Sequence, residues 1–428
     1  MAIDHGTCST RPTVVSAPRG GSHPVRSAWM TGALFGVLSV YWPLVDKALP
    51  LGLGLLRAYD VAVLVVLGFA FVQVLRLGSV SLRMHVPVPT LLLVALYLIV
   101  GVRLMSVAFS PWSEWTLLWS VGRYGEALAL VVTALVLPTP FGEGLRGALV
   151  ISGLAETATG ALQLIASHGV QPGVGIASAR GVYELQVWFA VTGLMMAAQR
   201  SRVRFAWLLG GAGILGVAAT MIRTAWMQLI IAIGLGALTL NGQARGRYVR
   251  RAVLGAVSLG VGIVILAKTS PYLQYKLQQL TQGTGTIGVR LALWSMGLHA
   301  FRAYPFLGIG SGGFARYADI IAGEAGVPVP PQYLDWRLSA HNTVVGILAE
   351  TGLAGLLAYA MYVLGVIQVV RRLARSANGE GVSPTTAALG PTLASTVILD
   401  TVAQSSFGPL TLALLLLAIY DLRRLARR

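Results

Sequence analysis

The sequence predicts an all-α polytopic membrane protein with about twelve transmembrane helices. Three observations carry that prediction. Charged residues make up only 11% of the 428, and the mean hydropathy is +0.73, too apolar for a surface that meets water. Apolar runs of roughly 17–25 residues, the length that crosses a hydrocarbon core, recur along the chain. The basic residues behind a net charge of +17 fall between these runs instead of gathering in one patch.

The runs lie at 28–45, 59–75, 86–108, 115–138, 146–166, 182–199, 205–222, 224–240, 252–268, 342–370, 385–404 and 407–421. No defensible repeat of roughly 20–50 residues relates them. The polar N-terminal segment shows no short apolar core with a small-residue cleavage site, so no removed signal peptide is expected. Cys8 is the single cysteine, which excludes an internal disulfide and a cysteine-based metal site.

With the N-terminus in the cytoplasm, roughly two thirds of the Lys and Arg fall on that side, as the positive-inside rule requires. They cluster at Arg200, Arg202 and Arg204, at Arg245, Arg247, Arg250 and Arg251, at Arg371, Arg372 and Arg375, and in the C-terminal tail. Arg123 is the one cation assigned to a helix interior. An even helix count with both termini inside follows, and the basic excess reads as topology, with no nucleic acid implied. The expected division is a cytoplasmic tail 1–27, helices 1–9 over 28–268, an external loop 269–340 between helices 9 and 10, helices 10–12 over 341–421, and a tail 422–428.

Cations on the far side are not explained by insertion. Arg180 leads into helix 6 in "GIASARGVYELQ", and Arg223 sits in "ATMIRTAWMQ", a hairpin with almost no loop between helices 7 and 8. The long loop holds Lys276, Arg290, Arg302, Arg316 and Arg337 against Asp319, Glu324 and Asp335. Long loops in compact proteins are either functional or disordered. Here "VRLALWSMGLHAFRAY" spaces Leu291, Trp294, Leu298 and Phe301 as an amphipathic helix. "PFLGIGSGGF" then stops it with Pro305 and glycines. Taken alone, this helix reads equally well as interfacial packing. The chain re-enters the apolar phase at "LSAHNTVVGILAETGLAG", where His341 and Asn342 open a helix that carries Glu350.

These segments resemble the O-antigen ligase and polymerase superfamily of bacterial membrane glycosyltransferases. The likeness rests on Arg290, Trp294 and Pro305-x-x-Gly308-x-Gly310, on His341-Asn342 followed by Glu350-x-Gly352-x-x-Gly355, and on Arg223 at the hairpin. It covers mainly residues 180–370. Two positions depart from the family pattern: Ile222 stands where a Ser is frequent, and Arg180 leads into "GVYELQ" instead of an Asn-rich stretch. The resemblance implies a GT-C-like bundle in the bacterial inner membrane with its active site at the periplasmic face. It also implies transfer of a polysaccharide from undecaprenyl diphosphate to a sugar of the lipid A core, inverting and without a metal or other cofactor.

The residues suit such chemistry. Arginine forks pair with diphosphate oxygens and never lose their charge, so Arg290, Arg223 and Arg180 are expected to hold the leaving group. His341 is the expected general base for the sugar hydroxyl. His5, His23 and His85 fall on the cytoplasmic side, His168 in a short external loop and His299 on the loop helix. Neighbouring arginines would favour its neutral form. Glu350, nine residues on, lies on the opposite helix face about 13.5 Å away and cannot orient His341; its expected role is in the fold.

Blander readings stay open at this stage. His341 also reads as an interfacial helix end, and Arg223 and Arg290 as cations snorkelling to lipid phosphates. Arg123 and Glu126 read either as a functional intramembrane pair or as a salt bridge across one turn. Rival functions are an O-antigen polymerase, a protein O-oligosaccharyltransferase, or a transporter or flippase. The last would show paired broken helices; Glu156 and Asp400 lie inside apolar runs, but no such pair is evident.

Overall fold

The structure is a computed structural model that describes residues 22–48, 58–77, 89–111, 118–134, 136–167, 183–199, 203–220, 222–270, 274, 278, 286–327, 340–377, 382–403 and 409–426. Every apolar run of the sequence coincides with a helix. These are α1 (Ser22–Ala48), α2 (Ala58–Leu77), α3 (Thr90–Ala108), α4 (Leu118–Thr133), α5 (Thr139–Ala166), α6 (Tyr183–Ala198), α7 (Val203–Thr220), α8 (Arg223–Thr239) and α9 (Gly242–Thr269). After the loop helix α10 (Thr286–Ala303) and two short helices, α11 (Gly313–Arg316) and α12 (Ala318–Glu324), come α13 (Thr343–Ala377), α14 (Pro384–Ala403) and α15 (Pro409–Leu425).

The protein is all-helical among the described residues and membrane-associated. Thr90–Ala108, Thr139–Ala166 and Thr343–Ser376 are long and apolar enough to cross a bilayer. Apolar character all round a helix demands burial on every side. Accordingly α6 is buried at all its residues and α15 from Leu410 to Leu422. The helices around them expose large apolar side chains, among them Phe71, Tyr97, Ile151 and Leu238. So much outward apolar surface is expected where lipid, not water, is the solvent. Close approach of α1 and α5 needs glycine: a Cβ on Gly32 or Gly144 would lie 2.0 Å from the carbonyl oxygen of Phe141 or Trp29.

Three expectations change. Arg123 is not the sole cation inside a helix: Arg103 lies in α3 and is 6% exposed. The cluster Arg245, Arg247, Arg250 and Arg251 belongs to α9, which starts at Gly242, because α9 extends its basic first turns beyond the apolar stretch. The run 342–370 is not one straight helix, since Gly352, at φ 61° and ψ −155°, breaks α13.

The break is sharp. A Cβ on Gly355 would lie 3.2 Å from Ile347 Cγ2, although eight residues of continuous helix would separate them by about 12 Å. Both arms of α13 reach the end of α14: the Thr343 hydroxyl donates to the Asp400 carbonyl, and the Tyr359 hydroxyl pairs with Thr401 at 3.2 Å. The first arm, 343–351, thus folds back over the second, 353–377. Loop helix α10 packs on that first arm, where Gly297 leaves room for Val345; a Cβ there would meet Val345 Cγ1 at 2.5 Å. A satellite core of Leu293, Met296, Ile309, Phe314, Val345 and Ala349 fills the space between them.

Candidate active site

The glycine-rich turn after α10 and the glycine break in α13 are one unit. Ile309 and Gly310 N–H groups donate to the carbonyls of Ala349 and Glu350, at 2.9 and 3.0 Å. In return Leu353 and Ala354 N–H groups donate to Pro305 and Phe306, at 2.9 and 3.2 Å. Carbonyls and amides that the break would strand are thereby satisfied by the turn. Glycine is required at both crossing points. Gly308 (φ 66°) and Gly352 (φ 61°) have positive φ. A Cβ would sit 2.3 Å from the Glu350 carbonyl carbon in the first case and 2.4 Å from the Phe306 carbonyl carbon in the second.

Beneath this crossing lies Arg103. Its guanidinium pairs with Glu350 at 3.2 Å, donates to Ser311 Oγ at 2.6 Å and lies 3.7 Å over the Tyr124 ring. Ser106 Oγ accepts from the Ser311 N–H at 3.2 Å, Ser110 donates to the Ile309 carbonyl at 2.6 Å, and Ser120 donates to Ser311 Oγ at 2.8 Å. A buried guanidinium is tolerable when paired and hydrogen-bonded in this way. Sequence reasoning assigned Glu350 to the fold without a partner; Arg103 is that partner, 247 residues away in sequence. A cation inside an apolar run was the available signal.

Above the knot, the first arm of α13 opens at His341 and Asn342. Asn342 caps it, its Oδ1 accepting from the Val345 N–H at 3.1 Å. His341 has φ 48° and is the one non-glycine residue with positive φ among those described. Such a conformation costs about 1–3 kcal/mol and persists where surrounding structure imposes it, characteristically at functional sites. The residue is exposed, yet enough protein surrounds its ring that burial, and after it the charge of Arg290, hold its pKa below the usual imidazole value. Arg290 on α10 and His341 are thus brought within electrostatic reach.

Arg223 is exposed at the first residue of α8. The next residue, Thr224, lies near Tyr183 at the start of α6, and Tyr183 lies near Asp400. Asp400 is the residue whose carbonyl holds Thr343, which places Arg223 at the same end of the bundle. Neither Arg223 nor Arg290 makes a hydrogen bond or ion pair among the described residues. Arg180 lies outside the described residues, as do His168, Lys276, Asp335 and Arg337. Arg123, exposed, and Glu126, half-buried, both lie in α4.

Among the described residues the mouth thus presents an imidazole whose pKa is lowered and two guanidinium groups, of Arg223 and Arg290, without a hydrogen bond or ion pair. Comparison with known proteins agrees in class. Residues 188–360 match the family model described as O-antigen ligase, a stretch that runs from α6 through both arms of α13 and includes Arg223, Arg290, His341 and Gly352. No curated protein matches the chain.

Proposed function

We propose, from the O-antigen ligase match of residues 188–360, that this protein transfers a polysaccharide from undecaprenyl diphosphate to a sugar hydroxyl of the lipid A core. In this reading the chain has twelve spans in a GT-C-like arrangement in the bacterial inner membrane, with both termini cytoplasmic and the His341 mouth at the periplasmic face. The hydroxyl oxygen attacks the anomeric carbon while the His341 imidazole takes its proton. The bond from that carbon to the diphosphate breaks, inverting the centre, and undecaprenyl diphosphate departs with the electron pair. Arg290, Arg223 and Arg180 pair with the charge that develops on it. Donors aimed at developing charge away from bulk water are the largest electrostatic aid an enzyme supplies.

The observation that carries this reading is the strained, solvent-facing His341 within electrostatic reach of Arg290. No metal is assigned a part.

The test is reconstitution of the purified protein with undecaprenyl-linked glycan and core lipid, with and without chelator. Glycan joined to core lipid, undiminished by chelator, is expected. Chain elongation on a second donor molecule would instead make the protein a polymerase, and transfer to a peptide hydroxyl a protein glycosyltransferase. Glycan crossing the bilayer without any bond formed would place it among transporters.

A further inference from the structure

We propose that a groove between α7 and α9, floored by α6, is a binding site for one anionic diacyl phospholipid, with the headgroup phosphate on Arg251. The cavity measures about 390 Å³ and is lined by Gly193, Ala197, Gly211, Ile214, Arg251 and Gly255 among others. A volume in this range accommodates a bound ligand segment. The lining is almost wholly apolar and opens outward from the bundle beside exposed side chains such as Trp207, Leu215 and Val257. Its polar residues are Arg251 and, about two turns further along α9, Ser258.

Arg251 points to what occupies it. The guanidinium carbon lies 5.9 Å from the Trp207 ring centroid, a cation–π distance. Its Nη1 is shielded from solvent and has no hydrogen-bond acceptor among the described residues. A guanidinium nitrogen so placed is costly until an acceptor arrives, and phosphate is the acceptor that its fork fits best. The neighbouring arginines differ. Arg247 donates to the Ala198 carbonyl at 2.7 Å and Arg245 to the Leu240 carbonyl at 2.7 Å, so both are committed to backbone. Arg250 and Arg204 are exposed at the same end of the bundle and add positive potential at the rim. A basic rim over an apolar inter-helix groove is the arrangement that selects anionic headgroups.

The groove owes its depth to missing side chains. A Cβ on Gly211 would meet nothing within 4 Å, and one on Gly255 would only touch Ile214 Cδ1 at 3.4 Å. Small residues elsewhere in α6 and α7 are explained by close helix contact, since a Cβ on Gly193 would lie 2.3 Å from the Gly210 nitrogen. Gly211 has no such reason. It leaves space for an acyl chain running from Arg251 toward Ala218. This site lies on the basic side of the bundle and stands whether or not the chain transfers glycans.

Native mass spectrometry of the detergent-purified, delipidated protein tests the assignment. Three probes are titrated: phosphatidylglycerol, diacylglycerol with the same chains, and glycerol phosphate. The wild type should retain one phosphatidylglycerol in preference to diacylglycerol, and glycerol phosphate should not displace it. Arg251→Gln should weaken retention about tenfold, the size of one charge-assisted hydrogen bond, whereas Arg371→Gln, at an exposed arginine outside the groove's lining, should change it little. Gly211→Leu, whose Cβ meets nothing within 4 Å and whose side chain occupies the groove, should lower retention of the phospholipid while leaving the unfolding temperature in detergent unchanged. Equal retention of phosphatidylglycerol and diacylglycerol, or wild-type retention in Gly211→Leu, overturns the proposal.

Discussion

The knot around Arg103 and the mouth around His341 lie on opposite sides of the same nine-residue helical arm and are built on opposite principles. In the knot, the buried guanidinium has a carboxylate, a hydroxyl and an aromatic face, and the two glycine turns exchange four backbone hydrogen bonds. At the mouth, His341 holds a left-handed backbone, and Arg290 and Arg223 make no hydrogen bond or ion pair among the described residues. The difference teaches where rigidity is placed. A satisfied network fixes the arm, and the fixed arm holds the left-handed backbone of His341 at its open end. Groups that are to meet a substrate need a scaffold that does not relax around them.

The comparison breaks first at His341. His341→Ala should reduce glycan transfer by about 10²- to 10⁴-fold, the range for losing a general base, while the protein still inserts and donor lipid accumulates. His341→Gly should be equally inactive yet no less stable, because glycine adopts φ 48° without strain. Normal lipopolysaccharide in cells carrying either variant removes the imidazole from the reaction.

Next in size, Arg103→Met should cost about 3–5 kcal/mol of stability by stranding the Glu350 carboxylate. The double variant Arg103→Met with Glu350→Leu should regain much of that in detergent unfolding experiments. Additive losses would show that the two residues do not act as a pair. The contrast to look for is between stability lost at the knot and turnover lost at the mouth.

Arg290 sharpens the electrostatic side. Arg290→Lys should impair donor use by about tenfold although the charge is kept, since the planar fork is lost. Arg290→Gln removes the nearby charge that opposes protonation of His341. Its acid limb should therefore move to higher pH, because the imidazole is the base when neutral and would now be protonated at a higher pH. Burial is the larger cause of the lowered pKa, so the limb should stay below that of a free imidazole. A pH–rate profile identical to wild type would separate Arg290 from His341. The smallest effect belongs to Asn342, whose replacement by Ala should cost about 1 kcal/mol through loss of the helix cap, with Asn342→Asp nearly neutral by thermal unfolding.

How much of this was legible in sequence varies by residue. The twelve apolar runs, the amphipathic helix opening near Arg290 and its stop at Pro305 all follow from local pattern, and each corresponds to a helix or turn in the structure. Glu350 was assigned to the fold on the geometry of a helix running from His341; the helix begins only at Thr343, with His341 at φ 48° before it, and it is the ion pair with Arg103 that ties Glu350 into the fold. What pattern missed was the break at Gly352. A glycine within an apolar run is ordinary in membrane helices, and only the carbonyls of Pro305 and Phe306 crossing it force positive φ there.

By itself the sequence determined the solvent, the helical class and the residue types available for chemistry, because hydropathy and periodicity are properties of neighbours along the chain. Only the tertiary structure decided that Arg103 sits on Glu350, that α13 folds back on itself and that Arg290 comes within electrostatic reach of His341. Those pairings depend on which helices lie side by side. A pair 247 residues apart leaves no periodic trace in sequence; its energy arises from distance, and distance exists only once the chain has folded.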